Sequence, residues 1–82
     1  MRIKITYNEL TKRLRGIGYV EKRLTGSHLI LDNEKFHSTI VLPIFNRNKL
    51  AEPYFILTVK KNIVEKGILT DEEFGELLTT KK

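Results

Sequence analysis

The sequence predicts a two-layer α+β domain, ordered α–β–β–β–α with a short extra helix at the C-terminal end. Three observations carry that prediction. Two capping-box patterns, Thr6-Tyr7-Asn8-Glu9 and Thr70-Asp71-Glu72-Glu73, each open an amphipathic segment. Between them lie three short apolar runs separated by turn-forming clusters, the pattern of an antiparallel meander. A chain of 82 residues has room for one compact core and no more, so residues 1–82 form a single domain.

The first helix is predicted over about residues 6–15. Thr6 supplies the N-cap, Leu10, Leu14 and Ile17 recur at helical spacing, and Gly16 and Gly18 stop the helix. Its outer face would show Lys12, Arg13 and Arg15, either as a solvated face or as an RNA contact. The first strand candidate is Tyr19 to Leu24 and the second is His28 to Leu31, joined by a short hairpin. The polar cluster Asp32-Asn33-Glu34-Lys35 turns the chain into a third strand, Ser38 to Leu42. Pro43 ends or edges that strand because it cannot donate to a ladder.

Asn46-Arg47-Asn48-Lys49 reads as a polar loop, and Pro53 suits the first turn of a second helix. Phe55, Ile56, Val59 and Ile63 fall on one side of that helix, and Gly67 stops it. Tyr54 and Phe55 form a candidate base-stacking pair, although the spacing of Phe55 also suits the core. Phe74, Leu77 and Leu78 give the third helix its apolar face, and the acids at its start complement the helix dipole. Lys81 and Lys82 read as a frayed tail.

Composition narrows the function. The chain has no cysteine, which excludes a disulfide framework and thiolate metal ligands. It has no stretch approaching the roughly 20 apolar residues of a membrane span, and Met1 to Ile5 does not read as a signal peptide. These features point to a soluble cytoplasmic protein. The net charge is +5, and residues 1–25 hold seven Lys/Arg against two acids. A basic face of this kind attracts polyanions such as nucleic acid, and acidic protein surfaces.

The motif richest in chemistry is Thr25-Gly26-Ser27-His28. A glycine turn feeds a strand and presents an imidazole at the strand's rigid end, near Lys22 and Arg23. An imidazole ordinarily titrates at about pH 6.5, so both protonation states are accessible near neutrality. Such a group beside fixed cations suits proton transfer on a phosphate-bearing substrate, although a histidine at a turn can equally be a solvated surface residue. Ser27 either contacts phosphate or caps the turn through its hydroxyl. The two histidines, His28 and His37, lie at non-motif spacing, and the acids cluster at a helix start. No metal site or cofactor is expected from this pattern.

The order of these features resembles the HicA (YcfA-like) family of mRNA interferase toxins from type II toxin–antitoxin systems. The matching residues are Gly16-Ile17-Gly18-Tyr19, the basic pair Lys22 and Arg23, Gly26-Ser27-His28, Val41-Leu42-Pro43, Ile63 to Ile68, and Leu69 to Phe74. The resemblance covers about residues 5–78. The resemblance implies a fold like that of double-stranded-RNA-binding domains (dsRBD-like), endoribonuclease activity on mRNA, and a HicB-type antitoxin as partner. It places the family's catalytic histidine at His28. Two departures stand out: Leu29 replaces the second histidine of many members, and the connection from Ile44 to Glu52 lacks a common glycine.

A metal-independent cleavage follows, with His28 as general base or acid and Lys22, Arg23, Ser27, Lys12 and Arg13 as RNA contacts. The substrate's own 2′-hydroxyl would be the nucleophile. Two rivals stay open. One is a non-catalytic RNA-binding module of the same architecture, reading duplex shape and phosphates. The other is a protein-interaction module whose basic face recognises an acidic partner.

Overall fold

A computed structural model describes residues 4–43 and 48–79 of the chain. Their order is α1 (Tyr7–Gly16), β1 (Val20–Thr25), β2 (His28–Asn33), a 3₁₀ turn (Glu34–Phe36), β3 (Ser38–Pro43), α2 (Pro53–Glu65) and α3 (Asp71–Thr79). The α+β order read from the sequence is therefore the order observed. Residues 46 and 47 of the expected polar loop, Ile44 and Phe45 before it, and the Lys81-Lys82 tail lie outside the described residues.

Each element follows from local chemistry. The Glu9 amide donates to Thr6 Oγ1 at 3.1 Å, which caps α1, while the Glu9 carboxylate turns to Arg13 instead of back to the cap. The box at α3 closes in both directions: the Glu73 amide donates to Thr70 Oγ1 and the Thr70 amide to Glu73 Oε1. Pro53 occupies the first turn of α2, where its missing N–H costs little.

The sheet is antiparallel with strand order β1-β2-β3. Leu29 and Leu31 of β2 and Ile40 and Leu42 of β3 point to one face and are buried there. The helices cover that face with Leu10, Leu14, Val59, Ile63, Phe74 and Leu78. β1 differs from its neighbours, because all six of its residues are exposed. It also carries a bulge at Lys22, where the register slips between Glu21 and Arg23. At the far side, the segment before α1 pairs with the segment before α2: Thr6 bridges Leu50, and the Ala51 amide donates to the Ile5 carbonyl at 2.7 Å. No helix among the described residues is long and apolar enough to cross a membrane.

Gly18 sits at φ +109°, and a Cβ there would lie 3.0 Å from Asn33 Nδ2. That amide is buried and donates to the Ile17 carbonyl. Gly18→Ala therefore forces a strained backbone and displaces a structural hydrogen bond. It is expected to cost about 2 kcal/mol, read as a lower denaturant midpoint at unchanged slope.

Tyr19, the residue before β1, is buried and joins a polar chain through the core. Its hydroxyl lies 2.6 Å from Ser38 Oγ, which donates to Asn62 Oδ1 at 2.5 Å. Burial pushes the Tyr19 phenol above its ordinary pKa, the Ser38 hydrogen bond opposes this, and the nearby Asp32 carboxylate adds to it. The sign follows from linkage. The neutral phenol is favoured in the folded state, so its stabilisation is complete below about pH 10 and is lost as pH rises beyond that. Thermal melts on the alkaline side of pH 10 should show a steeper loss of stability in the wild type than in Tyr19→Phe.

Candidate active site

Thr25 pairs directly with His28, so the β1–β2 turn consists of Gly26 and Ser27 alone. Gly26 has φ +55°, whereas Ser27 is not at positive φ. This is the pattern of a II′ hairpin turn, which takes glycine at its first central position. The turn makes His28 the first residue of the central strand, paired with Thr25 on one side and Pro43 on the other. His28 is exposed.

Strand alternation then decides its surroundings. Leu29 and Leu31 face the helices, so His28, Ile30 and Asp32 face the open side of the sheet. Paired residues share a face, which adds Arg23, Thr25, Thr39 and Val41 to that side. Arg23 lies opposite Ile30 and is the diagonal neighbour of His28, a separation of roughly 7–8 Å that its side chain can span. Arg23 makes no ion pair among the described residues.

The other expected RNA contacts separate into two groups. Lys22 is the bulged residue, and its ammonium lies 3.8 Å from Asp32 and 3.7 Å from Glu34. Those carboxylates hold it toward the end of the sheet away from His28. Arg13 is not on a solvated outer face: its side chain is only 16% exposed. It pairs with Glu9 and donates to the carbonyl of Leu77, one of the last carbonyls of α3. A helix C-terminus attracts a cation, so this arginine joins two helices. Lys12 is exposed on α1, and the Ser27 hydroxyl makes no hydrogen bond among the described residues.

His37 is placed far from His28. It precedes Ser38, which pairs with Asn33, whereas His28 pairs with Pro43 at the other end of the same ladder. Five residue steps along the strand separate these ends, about 17 Å. His37 instead ends the 3₁₀ turn at φ 54°, with its carbonyl accepting from Lys66 Nζ at 2.8 Å.

A groove of about 370 Å³ runs along the outer edge of β3, between that strand and α2. His28, Val41 and Thr39 line it on the strand side, with His28 at the Pro43 end, and Tyr54, Thr58 and Asn62 line the helical side. The groove's polar groups are hydroxyls, an amide and one imidazole. Among the described residues no three His, Asp or Glu side chains converge as metal ligands. Sequence reasoning passed over Thr58 and Asn62. Their signal was present, because positions 54, 58 and 62 follow an i, i+4, i+8 row on one helix face.

Comparison of the chain with protein-family models, with curated proteins and with solved structures finds no match.

Proposed function

We propose that this chain is an endoribonuclease of the HicA-like kind, cleaving mRNA in the cytoplasm as the toxin of a toxin–antitoxin pair, with a HicB-type antitoxin as its inhibitor. One observation carries the reading: an exposed imidazole, held at a strand end by a II′ turn, lines a groove with the guanidinium of Arg23, which makes no ion pair among the described residues, diagonal to it. The resemblance to the toxin family supports the same assignment for His28.

The chemistry needs few groups. His28 removes the proton from the ribose 2′-hydroxyl, and the 2′-oxygen attacks the adjacent phosphorus. Arg23 neutralises the charge that builds on the phosphoryl oxygens. The bond from phosphorus to the 5′-oxygen breaks, and the imidazolium formed in the first step is the proton source at hand for that oxygen. His37, at the other end of the sheet, takes no part. The products are a 2′,3′-cyclic phosphate and a 5′-hydroxyl.

The test is induced expression in a bacterial host together with cleavage of purified RNA in the presence of a chelator. Growth arrest and cyclic-phosphate ends under chelation are the expected results. Cleavage that requires magnesium and leaves 5′-phosphates would overturn the mechanism. RNA binding without cleavage would turn the reading to a non-catalytic RNA-binding module.

A further inference from the structure

We infer that the groove beside His28 is a nucleobase seat, in which Tyr54 stacks on a base of single-stranded RNA next to the phosphate to be cleaved. This deepens the nuclease reading and rests on it for the position of the scissile bond.

Tyr54 is 69% exposed although it stands in the first turn of a helix whose neighbours pack into the core. An exposed ring there would ordinarily be free to swing, but this one is braced. It stands edge-on to Phe55 at 5.2 Å between centroids and 81° between planes. Phe55 in turn stands edge-on to the buried Tyr7 at 6.1 Å and 74°. The Thr58 hydroxyl bonds back to the Tyr54 carbonyl at 2.9 Å and ties the first turn to the second. A ring held in this way offers an open face with little entropy left to lose on binding.

The groove it borders has room for a single nucleotide, and it is polar at its other end. Asn62 lies about 12 Å further along the helix, two turns from Tyr54. Its Oδ1 accepts from Ser38, which leaves its Nδ2 as the donor offered to an occupant. A stacking face, an amide donor, an imidazole and a basic chain of net charge +5 suit a nucleotide better than an apolar ligand or an acidic peptide. Every base has a π face, so a seat of this kind holds RNA with weak sequence preference.

The probe is a short single-stranded 2′-O-methyl oligoribonucleotide of mixed sequence, which lacks the 2′-hydroxyl and so cannot be cleaved. The same backbone with abasic sugars is the control. The chain has no tryptophan, and of its three tyrosines Tyr7 and Tyr19 are buried, so stacking is read as quenching of Tyr54 emission. The wild type should bind the base-carrying probe with quenching. Tyr54→Ala should bind it about tenfold more weakly, and Tyr54→Phe should bind as tightly without the quench. Equal affinity for the abasic backbone, wild-type affinity in Tyr54→Ala, or no binding by the wild type each overturns the seat. Tyr54-dependent binding in a protein that never cleaves RNA keeps the seat and removes the nuclease reading. Cleavage and binding both undiminished in Tyr54→Ala do the reverse.

Discussion

His28→Ala is expected to lower RNA cleavage by at least about 100-fold while leaving the fold and RNA affinity nearly unchanged. Positioned general acid–base groups contribute about 10²–10⁴-fold, so the loss belongs at the upper end if one imidazole serves both proton transfers. The substitution is clean because His28 is exposed and its side chain makes no hydrogen bond or ion pair among the described residues. Its melting temperature should stay close to that of the wild type. Arg23→Ala makes the contrast, since it removes charge next to the phosphate and leaves the imidazole in place. Single-turnover rates for the two variants separate the roles. Cleavage by His28→Ala at the wild-type rate would remove this residue from the mechanism altogether.

Phe74→Ala is expected to have the largest effect on stability, about 3–5 kcal/mol. Phe74 is 1% exposed and is the main anchor of α3 in the core, together with Leu78. A small domain is stabilised by only about 5–15 kcal/mol in total, so this loss alone brings the chain close to unfolding. The fall in Tm should exceed about 10 °C. A variant that melts like the wild type would show α3 to be an appendage. Arg13, which ties α1 to the Leu77 carbonyl of α3, is left in place by this substitution.

Local signals in the sequence account for most of the architecture. Thr6 and Thr70 mark helix starts because a hydroxyl capping nearby amides needs no distant partner. Gly26 and Pro43 mark strand ends through backbone preferences carried by the residues themselves. Contacts between distant residues were less legible. The buried chain Tyr19–Ser38–Asn62 joins the approach to β1 with β3 and α2, and no residue type among them announces the others. Arg13 looks like its neighbours Lys12 and Arg15, and only the position of α3 buries it. The bulge at Lys22 likewise appears only when β1 is laid against β2, and it shifts which cation accompanies His28. For the site, His28 and Tyr54 could be singled out in advance, whereas the groove between them required β3 and α2 to be side by side.

Because β1 buries none of its side chains, its amides are protected by little beyond their ladder bonds to β2. Local opening should therefore cost least there, and hydrogen exchange should be fastest along Val20 to Thr25 while Leu29, Leu31 and the helix faces exchange only on global unfolding. The proposed proton-transfer residue thus stands on the boundary between the most labile strand and the most stable one. Its backbone is anchored by β2, while the β1 side that carries Arg23 can open without unfolding the domain.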